Sequence, residues 1–276
     1  MDEDVASFRA DPPVPLTSGN TRVKNARKLA RRAFRAESRL FLADGPKAVE
    51  GAMSVPGCVV EVFATPQASE AYAGLRRDGE PWHLVDERAL ASLSDSVSPQ
   101  GVVAVCRFLD RPVEHVLDGA PRLVAMCADV RDPGNAGTVI RCADAAGADA
   151  VVLSGHSVDA YNPKTVRATV GSLFHLPIAS VEDPLAAVRA AQRAGLVVLA
   201  ADGKGEVDLF EADDLLSRPT AWLFGNEAWG LPEELARAAD QRVSIPIHGR
   251  AESLNLATAA AVCLYASARA QRSPSL

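Results

Sequence analysis

The sequence contains few of the features that define several common protein classes. Its five cysteines are odd in number, and none stands in a CxxC pair. A disulfide framework or a zinc site is therefore not expected, and a reducing compartment is. The apolar run from Leu256 to Ala268 is too short to span a bilayer, and the acidic first residues do not form a signal peptide. We expect a cytoplasmic protein with no membrane partner and no metal.

Several nucleotide and nucleophile motifs are also missing. No GxGxxG follows a strand-like run and no GxxxxGK[ST] occurs, which argues against ordinary dinucleotide and P-loop sites. Ser253 and His248 lie in one segment, but no GxSxG presents a nucleophile, so a hydrolase is not indicated. The segment from Asp202 to Gly205 (DGKG) resembles a phosphate-binding loop, but no phosphate-binding motif surrounds it. We therefore interpret it as a turn. An unrelated α/β enzyme with a nucleotide cofactor stays an alternative.

Charge is distributed unevenly. The net charge of −6 argues against nucleic acid, but residues 20–40 carry +7 and the rest of the chain carries −13. Apolar residues recur there at helical spacing, which predicts one helix with a basic face; they are Ala26, Leu29, Ala30, Ala33 and Phe34. A basic stripe on an acidic protein is typical of a phosphate-backbone contact, and a solvated helix face is the alternative. The predicted contact residues are Arg22, Lys24, Arg27, Lys28, Arg31, Arg32 and Arg35.

Strand-like and helix-like runs alternate along most of the chain. We predict a flexible arm over residues 1–18, a small α/β domain over 19–110, a linker over 111–121 and a larger α/β domain over 122–276. The larger domain opens with the continuous apolar run Leu123–Ala128, as expected for a strand buried on both faces. Its strands alternate with helices, which predicts a parallel sheet.

Three segments in the C-terminal half join the end of a strand-like run to a helix-like run. They begin at Asp132 (DPGNAGTVIR), at Leu223 (LFGNEAWGL) and at Ile245 (IPIHGRAESLN). In open α/β sheets, ligands bind at this junction, outside the carboxyl ends of the strands. We therefore expect one pocket, although Asn135 and Ser253 could each be only a helix cap.

These segments resemble, in order and spacing, the three motifs of the SpoU (TrmH) branch of the SPOUT RNA 2′-O-ribose methyltransferases. The segment from Tyr161 to Gly171 (YNPKTVRATVG) extends the resemblance, which covers roughly residues 122–268. The predicted domain over residues 19–110 more loosely resembles the ribosomal-protein-like RNA-binding domain of rRNA-modifying members, through VKNARKL, LFLADG and QGVVAV. The implied fold is a parallel-sheet α/β trefoil-knot domain preceded by a smaller α/β RNA-binding domain.

The resemblance also implies site residues and a cofactor, S-adenosylmethionine. The matching catalytic positions are Asn135, Arg141, Glu227, Ser253 and Asn255. The matching cofactor positions are Gly225, Ile245 and Leu254, with Leu223, Phe224 and Asn226 close by. One departure is Ala257, where many relatives carry serine. Family members act as homodimers with the active site at the subunit interface.

The implied reaction is methyl transfer to a ribose 2′-hydroxyl, with no metal. Arg141 would hold the neighbouring phosphate, Asn135 would orient Arg141, and Glu227 would fix the motif loop or the arginine across the interface. RNA is the implied partner and DNA is excluded, because DNA lacks the 2′-hydroxyl. The separate N-terminal domain favours 23S rRNA over tRNA. A tRNA methyltransferase and a non-catalytic RNA-binding relative are the alternatives, and the intact catalytic positions argue against the second.

Overall fold

The computed structural model describes residues 14–77 and 79–272. Most of the predicted arm lies outside these residues. At its described end the arm is not loose, because Leu16 forms a bridge with Val85. The Leu16 N–H donates to the Leu84 carbonyl at 2.7 Å, and the Asp86 N–H donates to the Leu16 carbonyl at 3.0 Å. The prediction of a flexible arm is therefore wrong at this position.

The N-terminal part is a four-stranded mixed sheet with helices, as the alternating pattern predicted. In the order β1-β4-β2-β3, β4 is antiparallel to β1 and β2, and β3 is parallel to β2. The strands are β1 Leu40–Asp44, β2 Val59–Ala64, β3 Trp82–Leu84 and β4 Val102–Arg107. The helices are α1 Thr21–Lys28, α2 Arg32–Ser38, α3 Pro46–Ser54, α4 Pro66–Ala71 and α5 Glu87–Ala91.

The basic segment forms two short helices, and the prediction of one continuous helix is wrong. Val23, Ala26 and Leu29 are buried against the sheet, whereas Ala30 and Ala33 are exposed. The chain turns after Leu29, where the guanidinium of Arg35 donates to the carbonyls of Leu29 and Ala30 at 2.9 and 3.0 Å. A helix end leaves such carbonyls without partners, so this side chain stabilises the break.

The C-terminal part is a seven-stranded sheet whose strands are all parallel, which confirms the predicted class. Its order is β7-β6-β5-β10-β8-β11-β9. The strands are β5 Leu123–Ala128, β6 Ala150–Ser154, β7 Ile178–Val181, β8 Val197–Ala201, β9 Val207–Asp208, β10 Thr220–Phe224 and β11 Gln241–Ser244. The helices are α6 Val113–Val116, α7 Pro133–Ala146, α8 Pro163–Thr169, α9 Pro184–Arg193, α10 Asp213–Leu216, α11 Glu233–Ala238 and α12 Leu256–Arg272.

Helices cover both faces of this sheet. The face with α7 and α12 buries Trp222 and Phe224, and the face with α9 and α11 buries Leu223. The sheet therefore has two covered faces, and ligands must approach from the ends of its strands.

In the described part of the chain, no helix is both long enough and apolar enough to cross a membrane.

The connection between the two sheets is packed rather than extended. The predicted linker contains α6, whose Val113 and Val116 are buried in the core beside β5. Farther up the chain, the Tyr161 hydroxyl accepts hydrogen bonds from the backbone N–H groups of Leu109 and Asp110 at 2.8 and 2.6 Å. The Tyr161 ring also stacks on Phe108, with centroids 3.9 Å apart. These contacts hold the N-terminal sheet against the C-terminal one.

Candidate active site

A cavity of about 340 Å³ opens at the carboxyl ends of β8, β10 and β11. The second and third motif segments supply most of its wall, and the end of β8 with its following loop, β11 and the start of α12 supply the rest. A cavity of this size, with mixed polar and apolar walls, is within the range of small-molecule sites. It is lined by Ala201, Asp202, Gly203, Phe224, Gly225, Asn226, Glu227, Ala228, Gly230, Val243, Ile245, Ile247, Glu252, Ser253, Leu254, Leu256 and Ala259.

One side chain from each motif meets beside this cavity. The Asn135 side-chain amide donates to the Glu227 carboxylate at 3.3 Å, and its carbonyl accepts from the Asn255 amide at 3.0 Å. Glu227 also accepts from the backbone N–H groups of Arg131 and Asp132, at 3.2 and 3.0 Å. These bonds join residues 92 to 120 positions apart in the sequence, although no residue of the first motif lines the cavity.

The residues that cap α7 and α12 are not Asn135 and Ser253, the two caps that the sequence left open as alternatives. Asp132, not Asn135, caps α7, because its carboxylate accepts from the Asn135 N–H at 2.7 Å. Asn255, not Ser253, caps α12, through bonds from the N–H groups of Ala257 and Thr258 at 3.0 and 3.2 Å. The Asn135 side chain is thereby left for the motif contact, and Ser253 lies on the cavity wall.

Glu227 is held in its charged form. Burial raises the pKa of this carboxyl. Four hydrogen bonds together lower the pKa by more than burial raises it; they come from the backbone N–H groups of Glu227, Asp132 and Arg131 and from the Asn135 side chain. The net pKa lies below the usual value of 4.5. The carboxylate is therefore ionised at neutral pH and acts as a hydrogen-bond acceptor rather than as an acid.

The second motif is a closed loop. Asn226 and Gly230 exchange two backbone hydrogen bonds of 2.9 Å each. The Asn226 amide donates to the Asp129 carbonyl at 2.6 Å, and its side-chain oxygen accepts from the Ala228 N–H at 2.8 Å. A Cβ on Gly225 would lie 2.3 Å from the Gly230 carbonyl carbon, so only glycine fits there.

Arg141 does not join this contact within one chain. It lies six residues after Asn135 on α7, which places it about 9 Å along the helix and roughly 120° around it. Its side chain is exposed, and it makes no hydrogen bond or ion pair with the residues that the structure describes. Within one protomer, Asn135 therefore does not orient Arg141 as the resemblance implies.

The cavity includes most of the predicted cofactor positions but not Leu223. The Leu223 side chain is fully buried in the core on the face of the sheet opposite to Trp222 and Phe224, because neighbouring residues of a strand point to opposite sides. Sequence reasoning missed Ala201, Asp202 and Gly203, which line the cavity. Asp202 begins the predicted turn, where the Gly205 N–H donates to its carbonyl at 2.9 Å. Its position directly after a strand was the available signal.

Arg35 is not available to a surface ligand, and its predicted RNA contact is wrong. The residue is 2% exposed, and its guanidinium donates to Asp159 at 2.7 and 3.0 Å. The other predicted basic side chains are exposed: Arg22, Lys24, Arg27, Lys28, Arg31 and Arg32. One of them, Arg22, forms an ion pair with Glu61 at 3.2 Å.

Comparison with known proteins agrees with this architecture. Residues 122–265 match the SpoU rRNA Methylase family, and residues 20–104 match the MRM3-like substrate binding domain. The 23S rRNA (guanosine(2553)-2′-O)-methyltransferase RlmP of Bacillus subtilis (strain 168) is 34% identical over 249 residues, which span 89% of this chain and 95% of that protein.

Two solved structures are similar over nearly the whole chain. An AdoMet-bound rRNA methyltransferase from Sinorhizobium meliloti has a TM-score of 0.81 and 35% identity, covering 93% of this chain and 97% of that one. The SpoU methyltransferase AviRb from Streptomyces viridochromogenes, in complex with AdoMet, has a TM-score of 0.80 and 31% identity, covering 91% and 98%.

The chain belongs to the SpoU rRNA methylase family. This confirms the predicted SPOUT-type fold and the predicted enzyme class, an RNA 2′-O-methyltransferase that uses S-adenosylmethionine. Over residues 14–77 and 79–272, no three His, Cys, Asp or Glu side chains are grouped as a metal site would require.

Proposed function

We propose that this protein methylates a ribose 2′-hydroxyl of 23S rRNA. The observation that carries the proposal is the contact of Asn135, Glu227 and Asn255 beside the cavity, because its hydrogen bonds link side chains from all three motifs. The N-terminal domain, which matches a substrate-binding domain, supports rRNA over tRNA. The intact catalytic positions argue against a non-catalytic relative.

The cavity fits S-adenosylmethionine. Phe224, Ile245 and Leu254 give it apolar walls, and Gly225 also lines it. Asn226 and Ser253 supply polar groups at the same wall. When bound, this cofactor supplies a methyl group activated by a positively charged sulfur. Of the predicted cofactor positions, all but Leu223 are retained in the proposal.

The side chains of the motifs have separate tasks. The charged Glu227 fixes the second motif against the backbone before α7. Asn135 links this carboxylate to Asn255, which also caps α12 and so fixes the third motif loop. Ser253, on the cavity wall, would position the ribose.

Arg141 has an electrostatic task in this proposal. A guanidinium does not give up its proton in proteins, so Arg141 would hold a substrate phosphate and stabilise the alkoxide as it develops. The proton of the 2′-hydroxyl would pass to phosphate or to water. Alignment of the two reacting groups would supply much of the remaining acceleration.

We propose a homodimer in which Arg141 of one protomer acts at the cavity of its partner. Within one chain this arginine lies away from Asn135. Tyr265 on α12 is exposed, and Ile247 and Leu254 at the cavity are partly exposed, so this side of the chain presents apolar surface to a partner.

We also propose the trefoil knot and a cytoplasmic location that the family resemblance implies. The strand order places β10 between β5 and β8, and α12 returns from the outlying β11 to pack against α7 and β5. Such a return across the sheet is what a knotted connection requires. Cytoplasm is where an enzyme acting on ribosomal RNA would meet its substrate.

The test is transfer of labelled methyl from S-adenosylmethionine to unmodified 23S rRNA, to tRNA and to a DNA copy of the rRNA. We expect label only in 23S rRNA, recovered as an alkali-resistant 2′-O-methyl dinucleotide. Label in tRNA alone would preserve the chemistry and overturn the substrate. Absence of label in every RNA, despite binding of S-adenosylmethionine, would favour the non-catalytic relative.

A further inference from the structure

Trp229 differs from the other two tryptophans of the chain in being open to solvent. Trp222 is fully buried and donates to Ser267 at 2.9 Å, and Trp82 is partly buried and donates to Ser69 at 3.0 Å. Trp229 is 55% exposed, and within the described residues its indole N–H has no hydrogen-bond partner. A single exposed aromatic is common on protein surfaces, so exposure alone does not mark a binding site.

That position is the motif loop itself. Trp229 lies two residues after Glu227, and its neighbours Ala228 and Gly230 both line the cavity. The paired backbone bonds between Asn226 and Gly230 close the loop, and the Glu227 carboxylate ties it to the start of α7. The backbone that carries the indole is therefore held beside the site, so a ligand that stacks on the ring does not have to order this loop.

The Arg131 guanidinium lies over the face of this ring. The guanidinium carbon lies 5.2 Å from the centroid of the Trp229 ring. No carboxylate pairs with this guanidinium among the residues that the structure describes, and the side chain is exposed. The backbone N–H of Arg131 meanwhile donates to Glu227. An aromatic plane and a free positive charge thus lie together at the catalytic loop.

We propose that Trp229 and Arg131 form a stacking platform for an unpaired base of the RNA substrate, next to the ribose that is methylated. This inference rests on the proposed function. Unstacked RNA bases are bound on aromatic rings and on arginine planes. The unpaired positive charge of Arg131 complements the phosphate backbone that adjoins such a base.

The first test separates stacking from mere bulk at residue 229. Trp229→Leu keeps an apolar side chain but removes the aromatic face, and Trp229→Phe keeps the face. We expect the leucine variant to raise the KM for 23S rRNA roughly ten-fold, and the phenylalanine variant to stay near the wild type. The KM for S-adenosylmethionine should not change in either variant. Equal effects of leucine and phenylalanine, or a change in the cofactor KM alone, would overturn the platform.

Arg131→Gln is the matched variant for the charge. It removes the guanidinium but retains the backbone N–H that binds Glu227, so the motif contact is preserved. We expect a smaller rise in the KM for rRNA, with kcat nearly unchanged. A large fall in kcat with no change in KM would place Arg131 in the catalytic step and contradict a platform.

A second measurement does not depend on methyl transfer. Acrylamide quenching of tryptophan fluorescence, compared between the wild type and Trp229→Phe, isolates the signal of Trp229. We expect single-stranded RNA to protect this signal. Protection that grows with protein concentration in the absence of RNA would show that another copy covers the ring, and would overturn the proposal. Protection by RNA together with absent methyl transfer would leave the platform standing and refute the proposed function.

Discussion

The basic segment at residues 20–40 and the first motif on α7 each contain an arginine to which the sequence assigns a role on RNA. The structure gives these side chains opposite surroundings. Arg35 is 2% exposed and donates to Asp159 and to two backbone carbonyls. Arg141 is exposed and has no partner among the described residues. A charge pattern counts arginines but does not tell which of them the fold itself uses.

We expect Arg35 to contribute to the free energy of unfolding and Arg141 to the activation free energy of methyl transfer. Asp159 belongs to the C-terminal part, so the Arg35 ion pair joins the two sheets as well as the two halves of the basic segment. Removing a buried partner leaves an uncompensated charge and lowers stability. Arg141 contributes nothing visible to the folded chain, which leaves its charge available to a substrate phosphate.

The largest expected effect is on stability, from Arg35→Met. We expect the free energy of unfolding to fall by about 3–5 kcal/mol, because the substitution leaves the Asp159 carboxylate unpaired and two carbonyls without donors. The melting temperature should fall on the order of 10 °C, measured by thermal unfolding.

Arg32→Met is the control for this change, since Arg32 lies in the same short helix but is exposed. We expect its melting temperature to stay within about 1–2 °C of the wild type. Equal destabilisation by both variants would mean that loss of charge in the segment, rather than the buried ion pair, determines the outcome.

The next effect is on rate, from Arg141→Ala. We expect methyl transfer to fall by about 10²–10³-fold, or about 3–4 kcal/mol, because one donor to the developing charge is lost. The melting temperature and the affinity for S-adenosylmethionine should not change. Arg189→Ala, an exposed arginine on α9, is the control and should keep full activity.

Mixing two inactive variants sharpens this prediction. If Arg141 acts at the partner's cavity, a dimer of Arg141→Ala with Glu227→Ala retains one complete site. An equal mixture that exchanges subunits should then recover about one quarter of wild-type activity. A mixture that remains inactive after exchange would place Arg141 at the cavity of its own chain.

Much of the larger domain could be predicted because its signals are local. The run Leu123–Ala128 is a strand with the predicted bounds, because its continuous apolar character is contained in six consecutive residues. β7 at Ile178–Val181 and the two-residue β9 lie at the sheet edges, where short strands carry little periodicity.

The site was predictable as a set of residues but not as a set of contacts. The motif resemblance identified Asn135, Glu227 and Asn255, yet their mutual hydrogen bonds depend on where three distant loops meet. The same limit explains the error at Arg35, whose partner lies 124 residues away. A buried charge is decided by tertiary contacts, and no local pattern contains them.

The smallest expected effect concerns the exposed remainder of the basic segment. Neutralising Arg27, Arg31 and Arg32 to glutamine should weaken rRNA binding and reduce the slope of log K against log salt by about 2 to 3. The cofactor affinity should stay unchanged, because the cavity lies at the other sheet.

The matched control neutralises three exposed arginines outside the segment, Arg189, Arg193 and Arg218. Filter-binding titrations at several salt concentrations measure both slopes. Since both triples remove the same net charge, an equal change in slope would mean that rRNA senses only the total charge of the protein. A change confined to the first triple would make the segment, without Arg35, the part of this domain that grips phosphate.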